Sequence, residues 1–259
     1  MEIGLTLLEV AEYAEDLTRK MGGEAAFPCN ISINEIASHY TPLKGKRTFA
    51  AGNLVKLDVG VHVNGYIADT AATIEVDTHI NGTLIEAAKE ALDGAIKETR
   101  AGVTTRHLGS VMEHIIRARG CRPIPDLTGH SIGRYAVHNG LNIPNHGHAG
   151  YSNTLEVGDV IAIEPFTTKG NGLVKHGKAR IVSLVNNSMN RSDPVYRNIR
   201  AQFNTLPFTS RWMNDPDELK QAGTFLRKYP VLIEKDSYPV AQAEHTLIVT
   251  ENGCEVITA

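Results

Sequence analysis

The amino-acid sequence predicts an α+β protein made of two related halves. Three patterns support this fold class: a capped helix, a long β-hairpin with an Asn-Gly turn, and a pair of helices that precedes two apolar strands. Since helices and strands recur in this order, the first half is expected to lack one helix at its N-terminus.

The first helix is predicted from Thr6 to about Met21. Thr6 and Glu9 form a Thr-x-x-Glu capping box, in which the two side chains satisfy backbone N–H groups of the first turn. Gly22-Gly23 ends the helix. The apolar residues that recur at helical spacing are Leu7, Val10, Ala14, Leu17 and Met21.

Two further helices are predicted to form an antiparallel pair. A second capping box, Thr83 and Glu86, opens a helix that ends near Gly102. The next helix runs from about Thr105 to Arg119 and stops before a glycine. Because only a two- or three-residue turn is expected between them, the two helices should pack against each other.

The strongest β signal is a hairpin within NLVKLDVGVHVNGYIADTAATIEV. With a two-residue loop at Asn64-Gly65, Asp58 opposes Ala71, and Asp69 lies diagonally across from Asp58, about 7–8 Å away. The two carboxylates are close enough to share a ligand. Aspartates are mostly exposed, however, so a solvated polar face is the alternative.

Three later residues also carry potential chemistry. The strands DVIAIEPF and AQAEHTLIV are apolar on both faces except for Glu164 and Glu244. An ionised glutamate there needs a cation or hydrogen-bond donors, unless it lies at a strand end that reaches solvent. His130, between glycines in LTGHSIGRY, is either a structural residue or a ligand.

Taken together, these residues form a set of four carboxylates and one imidazole. Such an oxygen-rich set suits two divalent ions bridged by shared carboxylates, and not a structural zinc site. Two ions about 3.5–4 Å apart can bridge a hydroxide and polarise a carbonyl. The pattern therefore predicts hydrolysis.

The composition excludes several classes of protein and of binding site. With 259 residues, 42% of them apolar, the chain can form a sizeable core, which excludes disordered and fibrous proteins. A net charge of −3 without a basic run argues against nucleic-acid binding. No membrane span or signal peptide is recognisable, so a cytoplasmic protein is expected. Cys29, Cys121 and Cys254 are expected to be reduced thiols, and their spacing excludes a zinc-thiolate site.

Long stretches of the chain resemble the type 2 methionine aminopeptidases, which share the pita-bread fold with aminopeptidase P, prolidase and creatinase. The matching strings are AFPCNISINEIASHYTP, KLDVGVHVNGYIADTAAT, LTGHSIGRYAVHNGLNIPN, GDVIAIEPF, TLPF, YPVL and AQAEHTLIV. The resemblance implies a single catalytic domain, residues 1–259, with a curved antiparallel sheet, flanking helices and pseudo-two-fold halves. It also implies removal of the initiator methionine from nascent proteins when the second residue is small, by attack of a metal-bridging hydroxide.

The resemblance further implies a set of metal ligands. Two divalent ions, of Co, Mn, Fe or Zn, would be bound by Asp58, Asp69, His130, Glu164 and Glu244. In this arrangement Asp58 chelates one ion, His130 and Glu164 hold the other, and Asp69 and Glu244 bridge both. Glu164 would also carry the proton from the bridging water to the leaving amine.

Substrate contacts follow from the same resemblance. His39 would lie near the scissile amide and the leaving group, and His138 would contact the substrate peptide and help to stabilise the tetrahedral intermediate. Phe27, Val137 and Tyr229 would surround the methionine side chain, whose thioether suits an apolar pocket.

Spacing distinguishes the type 2 branch. The stretch between Glu164 and Glu244 is longer than a hairpin needs, and the resemblance assigns residues 190–232 to a mainly helical insert, with the loop-like Asn186–Pro194 at its start. The basic residues of the insert form a solvated face or a transient ribosome contact, and a monomer is expected. Type 2 enzymes normally have another helix before the segment matching Gly4–Glu15. Without such a helix, each large apolar side chain left uncovered costs roughly 1.5–3 kcal/mol.

Two other functions are alternatives for a chain with this resemblance. An X-Pro aminopeptidase or prolidase-like hydrolase would be favoured by a large N-terminal domain, for which this chain has no room. A non-catalytic pita-bread binding module would be favoured by the loss of metal ligands, whereas this chain has all five.

Overall fold

The structure, a computed structural model, describes residues 2–185 and 192–259. The α-helices within these ranges are α1 (Leu7–Lys20), α2 (Gly82–Glu98), α3 (Thr105–Ala118), α4 (Pro194–Phe203) and α5 (Glu218–Gln221). None of the helices in these ranges is both long and apolar enough to cross a membrane. The three cysteines, which all lie in the described ranges, are free thiols.

The strands form small antiparallel sheets. They are β1 (Glu24–Ala25), β2 (Asn30–Ile33), β3 (Ile36–Ser38), β4 (Leu54–Val63), β5 (Tyr66–Glu75), β6 (Arg122–Pro123), β7 (Thr128–Ser131), β8 (Asn142–Pro144), β9 (Val160–Ile163), β10 (Phe166–Thr168), β11 (Val174–His176), β12 (Ile181–Leu184), β13 (Phe208–Thr209), β14 (Leu226–Tyr229), β15 (Leu232–Glu234), β16 (Val240–Gln242), β17 (His245–Val249) and β18 (Cys254–Val256). One sheet contains β1, β2, β4 and β5, and a larger sheet has the order β18-β17-β9-β7-β8. Helices flanking antiparallel sheets confirm the predicted α+β class.

Helix α1 begins as the capping box predicts. The Thr6 hydroxyl accepts the Glu9 N–H at 3.1 Å, and the Glu9 carboxylate accepts the Thr6 N–H at 2.8 Å. Leu17 on the helix and Met21 just after it are 41% and 80% exposed. Its fully buried residues are Leu7, Ala11, Glu15 and Thr18.

The hairpin of β4 and β5 has the predicted register. Asp58 pairs with Ala71, and Gly60 pairs with Asp69, so the two aspartates are diagonal neighbours on one face. Asn64 and Gly65 have φ angles of 52° and 86°, as a two-residue type I′ turn requires. This turn chemistry fixes the register of the whole hairpin.

The polar face of the hairpin is buried. Lys56, Asp58 and Asp69 are all less than a tenth exposed. The polar face is covered because β16 and β17 pack against β4 and β5. The alternative of a solvated polar face is therefore wrong.

Helix α2 begins earlier than predicted, so the second capping box is wrong. Thr83 lies inside the helix, and the N-cap Asn81 makes no capping bond with its side chain. The Glu75 carboxylate instead accepts the backbone N–H groups of Ile80 and Asn81, at 3.1 and 2.8 Å. The Glu75 carboxylate thus holds the chain just before and at the N-cap of α2, where no side-chain cap is present.

Helices α2 and α3 form the predicted antiparallel pair. An Arg119–Glu90 ion pair joins one end of the pair, and a contact of 3.3 Å between His107 and Glu98 joins the other. Helix α2 ends at Glu98, before the predicted Gly102, and residues 99–104 connect it to α3. The connection is longer than the turn that the sequence predicted.

Glu164 and Glu244 lie at interruptions between strands. Glu164 separates β9 from β10, and Glu244 separates β16 from β17. Because β9 pairs with β17 and β10 pairs with β16, the two interruptions face each other. Glu244 is only 2% exposed, so the alternative of a solvent-facing strand end does not apply to it.

The segment 190–232 contains both helices and strands. Helices α4 and α5 lie in it, and its strands β13 and β14 pair with β12 on either side. Most of the predicted loop Asn186–Pro194 lies outside the described residues, and the described part includes Asp193, whose carboxylate caps α4. The segment contributes to a separate apolar cluster of Leu184, Tyr196, Ile199, Phe208, Met213 and Ala222.

Candidate metal centre

One cavity is lined by all ten residues that the sequence predicts for the site. It has a volume of about 50 Å³, which is enough for ions and a few water molecules. The ten predicted residues in its lining are Phe27, His39, Asp58, Asp69, His130, Val137, His138, Glu164, Tyr229 and Glu244. Four residues that were not predicted also line it: Asn30, Ser38, Ile181 and Pro207.

Asp69 and Glu244 approach each other because β5 meets the β16–β17 segment. The Glu244 N–H donates to the Ala71 carbonyl at 2.9 Å, and the Thr246 hydroxyl both accepts the Asp69 N–H and donates to the Asp69 carbonyl, each at 2.8 Å. Asp69 and Glu244 therefore stand on adjoining backbone segments from opposite halves of the chain.

His130 joins these two carboxylates from β7. Ligand atoms of Asp69, His130 and Glu244 lie within 4.8 Å of one another, which suits a shared ion. The His130 Nε2 atom is 3.8 Å from Asp69 Oδ2 and 3.5 Å from Glu164 Oε1. Asp58 and Glu164 are outside the tightest group, but they line the same cavity.

Burial strongly perturbs these carboxyl groups. It raises the pKa of Asp58 to about 7, and together with the neighbouring carboxylates it raises the pKa values of Asp69, Glu164 and Glu244 well above the usual range. Burial also lowers the pKa of His130 to about 4, so the imidazole is neutral at pH 7. The set is costly to ionise without a cation.

The donor set fits divalent cations. Asp58 Oδ1 and Asp69 Oδ1 are buried and have no hydrogen-bond partner among the described residues. Carboxylate oxygens and a neutral imidazole are the ligands that first-row divalent ions accept. A cation placed among them would supply the missing partners and favour the ionised carboxylates.

Two more histidines and a tyrosine line the same cavity as the acidic cluster. The His138 ring lies 4.3 Å from the His130 ring and 5.9 Å from the Tyr229 ring, and Tyr229 also meets His39 edge-on at 5.6 Å. Burial lowers the pKa values of both His39 and His138, so both rings are neutral at pH 7.

His39 is held in a fixed tautomer and a rare backbone conformation. Its φ angle is 63°, in the left-handed region that side chains seldom adopt. Its Nδ1 atom lies 3.2 Å from the Pro230 carbonyl oxygen, which can only accept, so Nδ1 carries the proton. The Nε2 atom of this neutral ring is therefore a hydrogen-bond acceptor.

An apolar wall closes one side of the cavity. Phe27 and Val137 pack with Leu206, and Phe27 lies directly over Gly60 on the hairpin. A Cβ atom at Gly60 would lie 2.1 Å from the Phe27 ring, so only glycine leaves room for the ring there. Pro207 completes the wall from the segment after α4.

Comparisons with known proteins agree with one another. The family model described as metallopeptidase family M24 matches residues 1–251. A methionine aminopeptidase of Methanothermobacter thermautotrophicus is 41% identical, over 98% of this chain and 90% of that protein. The structure is similar to a methionine aminopeptidase from Rickettsia prowazekii, with a TM-score of 0.74 and 21% identity over 100% of this chain and 88% of that one. It is also similar to a thermophilic Arx1, with a TM-score of 0.84 and 20% identity over 99% and 84% of the two chains.

These likenesses differ in what they show. The two solved structures share only about a fifth of their residues with this chain, so they describe the fold. The relative at 41% identity and the family match describe ancestry along nearly the whole sequence. This chain belongs to metallopeptidase family M24.

Proposed function

We propose that this protein is a type 2 methionine aminopeptidase, which removes the initiator methionine from nascent proteins when the second residue is small. The observation that carries the proposal is the buried cavity in which Asp69, His130 and Glu244 lie within metal-binding distance of one another. The Methanothermobacter thermautotrophicus relative, a methionine aminopeptidase, supports the choice of activity within the family.

The proposed ligand set has five members and holds two divalent ions, of Co, Mn, Fe or Zn. Asp58 would hold one ion, His130 and Glu164 would hold the other, and Asp69 and Glu244 would contribute to both. When bound, such ions lower the pKa of water and polarise a carbonyl group. Availability decides among the four metals, because this donor set binds all of them.

The proposed substrate contacts come from two histidines that are neutral at pH 7, and the proposed proton transfer comes from Glu164. His39, with its proton on Nδ1, presents Nε2 as an acceptor for the N–H of the scissile amide and the leaving amine. His138 contacts the substrate carbonyl and helps to stabilise the charge that develops on it. Glu164 carries the proton to the leaving amine.

The methionine side chain is proposed to lie against Phe27, Val137 and Tyr229. Phe27 and Val137 are 7% and 6% exposed and present an apolar surface, and an aromatic ring favours contact with a thioether sulfur.

The proposed substrate also implies where the enzyme acts and what it contacts. We propose that it acts in the cytoplasm as a monomer, where nascent polypeptides emerge, with a transient ribosome contact through the basic residues of segment 190–232. The whole chain, residues 1–259, is proposed to form one catalytic domain.

The test is hydrolysis of two peptides by the metal-stripped protein. Met-Ala-Ser and Ala-Pro-Ser are incubated with and without Co²⁺, Mn²⁺, Fe²⁺ or Zn²⁺, and the free amino acid released is measured. Methionine release only with metal is expected. Release from the proline peptide alone would favour an X-Pro hydrolase, and a folded protein inactive with every metal would favour a binding module.

Matched histidine variants locate the activity. His130→Ala is expected to abolish metal uptake and methionine release, and His39→Ala is expected to keep the metal but slow turnover. The exposed His176 on β11 provides the control, since His176→Ala should change neither. Full metal content and turnover in His130→Ala would refute the proposed site.

A further inference from the structure

Gln242 presents a buried amide beside the acidic cluster. Gln242 ends β16, is 2% exposed, and pairs in register with Phe166 of β10. It therefore lies opposite the interruption that contains Glu164 and two residues before Glu244. Neither the predicted ligand set nor the proposed catalytic residues include it.

The Gln242 side chain bridges two of the carboxylates. Its Nε2 atom donates to Glu244 Oε2 at 3.0 Å and lies 3.4 Å from Glu164 Oε2, also as the donor. A primary amide has two N–H groups on one nitrogen, so one group can serve each carboxylate. Both of these N–H groups face acceptors in the cavity.

The two oxygens of the Glu164 carboxylate have different partners. Oε2 accepts from Gln242, whereas Oε1 lies 3.5 Å from His130 Nε2. Rotation of the carboxylate would exchange the two oxygens, and the bond to Gln242 opposes that rotation. The oxygen beside the imidazole is thus left for an ion that both side chains can reach.

A neutral donor suits this position better than a charged one. A lysine or arginine at the same place would also bind both carboxylates, but its charge would offset theirs and compete with a cation. The amide orients the carboxylates without cancelling their charge. It therefore preserves the attraction for divalent ions.

The backbone of Gln242 is itself fixed by the other half of the chain. The Thr73 hydroxyl, on β5, accepts the Gln242 N–H at 2.8 Å and donates to the Gln242 carbonyl at 2.6 Å. Thr73 is 5% exposed, so water does not readily replace these bonds. The amide is held at a set distance from the hairpin that carries Asp58 and Asp69.

From this geometry we infer that Gln242 is a positioning residue, which orients Glu164 and Glu244 for metal binding. The inference rests on the proposed function of the site. Removing a hydrogen-bond partner of a metal ligand commonly changes metal affinity or activity 10–100-fold.

The test replaces the amide by a side chain of equal length without donors. Gln242→Met is expected to weaken Mn²⁺ binding by about 10–100-fold in titration calorimetry and to diminish the coupled electron paramagnetic resonance signal of a two-manganese site. At saturating Mn²⁺ the kcat for Met-Ala-Ser should fall while KM is retained. The control is Gln202→Met on the exposed face of α4, which should change none of these quantities.

The outcomes separate the inference from the proposed function. A folded Gln242→Met variant with wild-type Mn²⁺ affinity and an unchanged resonance signal overturns the inference. If this variant does not fold, Thr73→Val and Thr73→Ser are compared, and weaker Mn²⁺ binding is expected only when the hydroxyl is lost. A wild-type protein that binds no Mn²⁺ and releases no methionine would instead overturn the proposed function.

Discussion

The buried ion pair between Glu15 and Arg211 provides a test of how helix α1 is held against the rest of the fold. The Glu15 carboxylate accepts the Cys29 N–H at 3.0 Å, an Arg211 guanidinium N–H at 2.6 Å and the Trp212 indole N–H at 2.8 Å. The side chains of Glu15 and Arg211 are only 3% and 9% exposed. One carboxylate therefore joins α1 to the strand region near Cys29 and to segment 190–232.

Glu15→Gln should be strongly destabilising. The amide keeps the shape of the carboxylate but leaves the Arg211 charge buried without its partner, and breaking such pairs costs about 3–5 kcal/mol. For a chain of this size, that loss corresponds to a fall in Tm of roughly 6–20 °C. Urea unfolding followed by circular dichroism would give the free energy of unfolding.

A double variant distinguishes a buried charge from a simple loss of contacts. Replacing both partners, as Glu15→Leu with Arg211→Met, should cost less than Glu15→Gln alone, because no unpaired charge remains. The exposed pair of Asp217 and Lys220 is the control, and Lys220→Ala should leave the free energy of unfolding nearly unchanged, because water already solvates both charges. A Glu15→Gln variant within 1 kcal/mol of the wild type, or a double variant with additive losses, would refute this reasoning.

Two further predictions concern the cavity. Gly60→Ala should destabilise the fold by about 1–3 kcal/mol, because the new Cβ atom must displace the Phe27 ring, and it should raise KM for Met-Ala-Ser without changing Mn²⁺ affinity. Mn²⁺ at 100 times its Kd should stabilise the protein by about 2.7 kcal/mol, a rise in Tm of roughly 5–11 °C, because the folded chain brings the proposed ligands together and the unfolded chain does not.

Each of these predictions has its own control. Gly82→Ala at the start of α2 meets nothing within 4 Å, so it should not lower stability and should leave KM unchanged. An unaltered KM in Gly60→Ala would show that Phe27 does not border the substrate. For the metal, a rise in Tm that persists in His130→Ala would show that the ion stabilises the protein from another site.

The sequence alone predicted the hairpin completely, because its determinants are local. A two-residue Asn-Gly loop permits one register, and that register places Asp58 and Asp69 on the same face. The capping box at Thr6 was predicted for the same reason. Both features depend on residues that are near each other in the chain.

Features that depend on distant partners could not be predicted in this way. The burial of Glu15 in α1 requires Arg211, which lies far along the sequence, and the cap of α2 is supplied by Glu75 from the preceding strand. Helical periodicity does not identify either partner. Propensity and spacing were overridden here by tertiary hydrogen bonds.

The candidate site shows the same limit. Its acidic residues were recognisable one by one, but their convergence depends on β5 meeting the β16–β17 segment, which no local pattern specifies. Gln242 was missed, although its two-residue spacing from Glu244 was a readable signal for a shared strand face. Ile181 and Pro207 had no signal at all, since they reach the cavity only through the fold.

The paired threonine bonds have a consequence for how the molecule matures. Thr246 holds the Asp69 backbone, and Thr73 holds the Gln242 backbone, so each hydroxyl ties one half of the chain to the other. A chain in which only the first half has folded possesses Asp58 and Asp69 but none of the other three predicted ligands. Under the proposed function, tight metal uptake would therefore require that the two halves have docked, because only the docked chain brings all five side chains to one cavity.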